Sequence, residues 1–147
     1  MNISFIGDTA TGKSHILHTL ISPEKEYNPI LTVGIDYKSY IYNNTIYNFW
    51  DCAGSKRIFN ALLSILPKFN KTIIVCNLYN RQSIEQIEYY KNFLSNNTYI
   101  LVNTHMYNKQ ETSSIQLLDK LYQHKYIIID SNDVSDVKKK IEYILNN

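Results

Sequence analysis

Apolar residues change their spacing several times along this chain, and each change marks an element boundary. Asn2 to Gly7 is a short apolar run that reads as a strand. From Lys13 to Ile21 the residues Ile16, Leu17, Leu20 and Ile21 fall on one face of a helix, which Ser22-Pro23 stops. Glu24 to Leu31 holds Pro29 and no clean period, so it reads as a loop. Thr32 to Asn43 and Thr45 to Trp50 predict a hairpin around Asn43-Asn44, a pair that tolerates positive φ. Ser55 to Leu66 has a helical pattern closed by Pro67, and Thr72 to Leu78 is continuously apolar, as in a strand buried on both faces. Ser83 to Leu94 predicts a helix, Thr98 to Val102 a strand and Ser113 to Tyr122 another helix. Tyr126 to Asp130 is the last predicted strand and Val134 to Leu145 the last helix. This alternation predicts an α/β fold: a mainly parallel sheet with helices on both faces and one antiparallel hairpin strand. With no internal repeat and no linker, residues 1–147 are expected to form a single domain.

Composition narrows the function. Hydrophobic residues make up 44% of the 147, which excludes a disordered chain. A formal charge of +2, evenly spread, gives no reason to expect nucleic acid as the main ligand. Cys52 and Cys76 lack metal-ligand spacing and fit reduced thiols, so a cytoplasmic location is expected. No apolar run approaches the ~20 residues that cross a bilayer. The C-terminal Ile144-Leu145-Asn146-Asn147 holds no prenylatable cysteine, so membrane attachment is expected only through a partner. A monomer is expected.

Between the first strand and the first helix lies Gly7-Asp8-Thr9-Ala10-Thr11-Gly12-Lys13-Ser14, the pattern of a phosphate-binding P-loop in its proper context. Successive main-chain N–H groups of residues 8 to 14 can wrap a β-phosphate, aided by the positive end of the helix dipole. Lys13 supplies a point charge to the β/γ oxygens, and the Ser14 hydroxyl suits Mg²⁺. Asp51-Cys52-Ala53-Gly54 follows the second hairpin strand. Asp51 can hold a Mg²⁺-bound water there, and Gly54 can bring a main-chain N–H to a γ-phosphate.

With these motifs in place the chain resembles a small GTPase of the Ras superfamily with the P-loop NTPase fold, most like the Rab branch. Thr32-Val33-Gly34-Ile35-Asp36-Tyr37-Lys38 is similar to the Rab switch I and the strand after it, and Trp50-Asp51-Cys52-Ala53-Gly54 to the family's WDTAG at switch II. Asn77-Leu78-Tyr79-Asn80 followed by Ser83-Ile84 is similar to the D-V-T-x…S-F segment. The resemblance implies GTP/GDP as ligand, with Mg²⁺. It implies that Thr32 binds the metal through its hydroxyl and the γ-phosphate through its N–H, a contact that orders the loop until hydrolysis. It also implies effector or regulator proteins docking on Thr32–Tyr37 and Trp50–Phe59, with Ile35, Tyr37 and Trp50 in that surface.

Three departures fall on separate parts of this pattern. After Gly54 stands Ser55, where the family has the glutamine that orients the attacking water; serine is too short, so hydrolysis is expected to be slow or absent. The guanine-reading N-K-x-D is degraded. Read from Asn103, the asparagine is kept, Thr104 replaces the lysine and Met106 the aspartate; Thr104-His105-Met106-Tyr107 fits worse. Bonds to a charged group are worth about 1.5–3 kcal/mol each, so losing two removes about 10²–10⁴ of guanine selectivity. Asn108-Lys109-Gln110-Glu111 carries a substitute carboxylate, but well past the strand end. Third, the position of the base-stacking aromatic is Lys25, with Tyr27 as a substitute if the loop folds differently. Asp130-Ser131-Asn132 is similar to the family's T-S-A loop, whose main-chain N–H reaches the base, so Ser131 and Asn132 join Asn103 and Thr104 as candidates.

The leading expectation is a Rab-like guanine-nucleotide-binding protein with weak or absent hydrolysis. Its rivals are a pseudo-GTPase scaffold without a nucleotide cycle and a P-loop nucleotide binder of relaxed base choice. A small nucleoside kinase is disfavoured because arginine occurs only at 57 and 81, too few for a phosphate lid.

Overall fold

A computed structural model describes residues 1–95, 97–105, 107, 112–123 and 125–147. Met106 and Asn108 to Glu111, which carry two of the base-reading alternatives, lie outside the described residues. Six strands share one sheet: β1 (Asn2–Ile6), β2 (Ile35–Tyr42), β3 (Thr45–Cys52), β4 (Lys71–Asn77), β5 (Thr98–Asn103) and β6 (Ile127–Ile129), in the order β2-β3-β1-β4-β5-β6. Among the described residues only β2 and β3 pair antiparallel; β1 runs parallel to both β3 and β4, and β5 and β6 continue the parallel run. The expected α/β architecture is therefore the observed one.

Strand alternation decides which helix packs where. Ile3 and Phe5 of β1, with Ile73 and Val75 of β4, point to the face covered by α1 (Lys13–Ile21) and the last helix (Val134–Asn146). Ile6, Ile74 and Cys76 point to the opposite face, against Phe59, Leu62, Ile84, Ile87 and Leu118 from the remaining helices. Every residue of β4 is buried, as its unbroken apolar run requires. Because β1 has neighbours reached by connections in opposite directions, a crevice opens beyond its carboxyl end, the usual ligand position in such sheets.

Local details refine several boundaries. The hairpin turns at Asn43 and Asn44, both at positive φ (48° and 59°), as the residue pair predicts. Its first strand begins at Ile35, later than Thr32, leaving Thr32 in the loop that faces the crevice. The helix after β3, α2, spans Lys56–Leu62, and Pro67 does not close it. Instead Pro67 sits in a separate 3₁₀ turn, Leu66–Lys68, where a missing N–H costs nothing. The segment expected as one helix from Ser83 starts earlier and is divided into α3 (Arg81–Glu85) and α4 (Ile87–Lys91). Asn80 causes the early start: its side chain accepts from Ser83 N–H. The remaining helices are α5 (Ile115–Tyr122) and α6 (Val134–Asn146). Among the described residues no helix is long and apolar enough to cross a membrane.

Candidate functional site: a phosphate cradle beneath a closed side-chain cluster

The carboxyl ends of four parallel strands deliver the candidate residues to one rim. β1 feeds Gly7 to Ser14, β3 carries Asp51 in its last two residues before Gly54 and Ser55, β5 ends on Asn103, and Ser131 follows β6. A cavity of about 770 Å³, within the usual range for a small-molecule site, opens there. Residues 9–14, 29–34 and 52–55 line it, with Tyr27, Arg57, Ile58 and Tyr107.

The loop is shaped for an anion. Ala10 and Gly12 take positive φ (58° and 99°), alternating with ordinary conformations so that successive amides converge. Among the described residues the main-chain N–H groups of Ala10 to Ser14 make no hydrogen bond. Asp8 and Thr11 hold the loop's shape: Asp8 accepts from Thr9 N–H at 3.0 Å, and the Thr11 hydroxyl donates to the Asp8 carbonyl at 3.1 Å. Lys13 is buried and its ammonium donates to the carbonyls of Gly7 (3.0 Å) and Asp8 (2.7 Å). An ammonium has three N–H bonds, so one remains for a ligand. Burial lowers its pKa to about 8, against the opposing pull of Asp51, Cys52 and Asp8.

Ser14, Thr32 and Asp51 come together although 37 residues separate the outer two. The Ser14 hydroxyl lies 2.8 Å from that of Thr32 and donates to Asp51 at 2.5 Å. Asp51 is fully buried, its other carboxylate oxygen has no partner among the described residues, and burial raises its pKa. Lys38 stands 4.0 Å away and is shared with Asp36 at 3.2 Å. Two hydroxyls beside a buried, incompletely satisfied carboxylate are the hard oxygen set that Mg²⁺ requires, so these residues fit the ion. Gly54 allows the close approach: a Cβ there would stand 2.3 Å from Thr9 N.

Ser55 lines the cavity, yet its hydroxyl is used locally, accepting from Ile58 N–H at 3.3 Å as the N-cap of α2. That capping role could have been read from the Ser-x-x-apolar start of the helix. Thr104 and Asn132 do not line the cavity. Thr104 N–H bonds the Ile129 carbonyl at 2.8 Å, and Asn132 is exposed with its N–H on Asp130. Lys25 is exposed, and Tyr27 lines the cavity. Trp50 is half-buried edge-on to Tyr37 and Phe69.

Asn103 and Ser131 are fully buried and bonded to each other, the Asn103 side-chain carbonyl accepting from Ser131 N–H at 3.1 Å. Around them the structure gathers residues with no motif of their own. The hydroxyls of Tyr107 and Ser131 each lie 3.0 Å from His15 Nδ1, and Tyr27 stacks on the His15 ring at 4.3 Å and 2°. Burial, then the neighbouring His105 and His18, lowers the His15 pKa to about 4, so its ring is neutral at pH 7.

A P-loop at the switch point of this sheet, with Thr32 and Asp51 on its flanks, defines a Ras-like small GTPase domain. A family profile described as "Ras of Complex, Roc, domain of DAPkinase" matches residues 2–111, three quarters of the chain. The chain belongs to this Roc family, and membership implies binding of GTP and GDP. It is also 25% identical over 93 residues to the Ras-related protein Rab-44 of Homo sapiens and, to the same extent, to that of Mus musculus. Those matches cover 60% of this chain but only 9% and 10% of the two relatives.

Proposed function

We propose that this domain binds GTP or GDP with Mg²⁺, hydrolyses GTP slowly or not at all, and presents its switch surface to partner proteins in the manner of a Rab-like switch. One observation carries the reading: Lys13, Ser14 and Thr32 line one cavity, with the buried Asp51 carboxylate bonded behind Ser14, while the position that would steer water is a serine engaged in capping α2. Ser14 and Thr32 would hold Mg²⁺ directly and Asp51 through a water; the ion would supply charge neutralisation for the β- and γ-phosphates. The free amides of residues 10–14 would wrap the phosphate chain, and Lys13 would add its remaining N–H.

The partner surface is supported by the run beside the cavity mouth. Ile30, Leu31, Val33, Ile35 and Tyr37 are 72, 69, 95, 41 and 53% exposed, an apolar stretch that a loop without a partner has no reason to display. Thr32 lies inside this run, so a γ-phosphate contact to it would set the shape of the displayed surface.

The test is a thermal-shift and single-turnover series on purified protein. GTP with Mg²⁺ should raise the melting temperature more than GTP with EDTA, and Ser55→Gln should hydrolyse GTP at least about tenfold faster than the wild type. A wild-type protein that shows no Mg²⁺-dependent shift is a scaffold without a nucleotide cycle, and the proposal fails.

A further inference from the structure

The triphosphate wall of the crevice is open, but the positions that flank it at the ends of β5 and β6 are closed by the protein's own side chains. The hydrogen bonds there form an unbroken chain. Asn103 Nδ2 donates to the Thr11 carbonyl (3.1 Å) and to the Tyr107 hydroxyl (3.1 Å), while its oxygen accepts from the N–H groups of His105 and Ser131 (both 3.1 Å). The amide has nothing left to offer a ligand. The Tyr107 hydroxyl then lies 3.2 Å from that of Ser131, which lies 3.0 Å from His15 Nδ1. A proton order Asn103 to Tyr107 to Ser131 to His15 gives each hydroxyl one acceptor, with a neutral imidazole Nδ1 accepting at its end.

Packing leaves no slack. A Cβ on Gly12 would meet Asn103 Nδ2 at 2.1 Å and the Tyr107 hydroxyl at 2.5 Å, so both sit flush on the P-loop. His15 is only 5% exposed and lies parallel on the Tyr27 ring, which His18 also meets at a tilt. Tyr27, which lines the cavity, is the aromatic the sequence offers for stacking on a base, and Asn103 and Ser131 are residues it offers for reading a base edge. All three are already engaged. A base entering here would exchange one stack and several buried hydrogen bonds for equivalents, for little net gain.

We propose that His15 and Tyr107 occupy the base subsite, so that this domain recognises the Mg²⁺-polyphosphate chain and is indifferent to the base attached to it. The inference rests on the nucleotide-binding reading above and widens its ligand class from guanine nucleotides to triphosphates in general. The sugar and base would extend into solvent past Tyr27 rather than seat between β5 and β6.

Isothermal titration of the full chain with the Mg²⁺ complexes of GTP, ATP, CTP and inorganic tripolyphosphate tests it. The wild type should bind all four within about tenfold of one another. His15→Ala, which opens the subsite without touching the loop amides, should tighten GTP or ATP at least about threefold while tripolyphosphate is unchanged. GTP binding more than about tenfold tighter than the other three in the wild type overturns the inference and leaves the guanine-nucleotide reading standing. Equal wild-type affinities with no gain in His15→Ala overturn it as well, because the plug is then not what limits the base. Failure of all four ligands to bind overturns both readings. The wild-type panel needs no variant, so a poorly folding His15→Ala does not remove the test.

Discussion

Lys13→Met separates what the buried ammonium does for a ligand from what it costs the fold. The methionine chain replaces the lysine stem, so the cavity wall stays filled. In the ligand-free domain the drop in the Lys13 pKa from 10.5 to about 8 corresponds to about 3 kcal/mol. Its sign follows from proton counts: between about pH 8 and 10.5 the folded state binds fewer protons than the unfolded, so stability rises with pH across that window. At pH 7 the full cost of holding the charge is present. Removing the ammonium relieves about 3 kcal/mol and strips a donor from the Gly7 and Asp8 carbonyls, at about 1 kcal/mol each. The balance is about 1 kcal/mol in favour of the variant, a rise of about 3 °C in melting temperature for a domain of this size. Triphosphate affinity should move the other way, because losing one partner of a buried charge pair costs about 2–5 kcal/mol, roughly 30- to 4,000-fold. Differential scanning fluorimetry at pH 7 and pH 9.5, with and without Mg²⁺-GTP, reads both effects. The stability advantage of the variant should shrink at pH 9.5. A Lys13→Met protein that melts well below the wild type at pH 7, or that keeps wild-type triphosphate affinity, would refute the reasoning.

Other perturbations probe the remaining parts. Asp51→Asn should leave the ligand-free protein as stable or slightly more so near neutral pH, since burial raises the carboxyl pKa and its charged form is a cost there. The same variant should lose the Mg²⁺ dependence of triphosphate binding, read by titrating Mg²⁺ at fixed nucleotide. Gly54→Ala forces a Cβ against main chain at Thr9, so a strain of about 1–3 kcal/mol should appear as displaced loop amides and weakened triphosphate binding, with an unchanged far-ultraviolet spectrum. Tyr40→Phe serves as a control remote from the crevice: losing its 3.0 Å bond to Glu142 should cost about 1 kcal/mol in urea unfolding and leave nucleotide affinity untouched.

Much of the fold was legible because it rests on local periodicity. The apolar run at Thr72 to Leu78 and the helix from Lys13 to Ile21 needed only spacing to be placed, and the Asn43-Asn44 turn needed only the tolerance of those residues for positive φ. Pro67 misled because a proline can end one helix or begin the next turn with equal ease, and packing of Leu66 into the core chose the second. Ser55 was expected to bear on hydrolysis alone, and the structure adds a helix cap, its hydroxyl accepting from Ile58 N–H, that the Ser-x-x-apolar start also signals.

By itself the sequence determined the P-loop pattern and its place between the first strand and the first helix, because such a loop is a matter of a few contiguous residues. It also singled out Ser14 and Asp51 as candidates for a cation, and the fold brings their side chains into hydrogen-bond contact. The tertiary structure decided what fills the neighbouring space. His15 meets Tyr107 across 92 residues and Ser131 across 116, and no spacing rule links positions so far apart. Their hydrogen bonds exist because parallel strands bring distant carboxyl ends to one edge of the sheet, where a histidine on α1 can reach both.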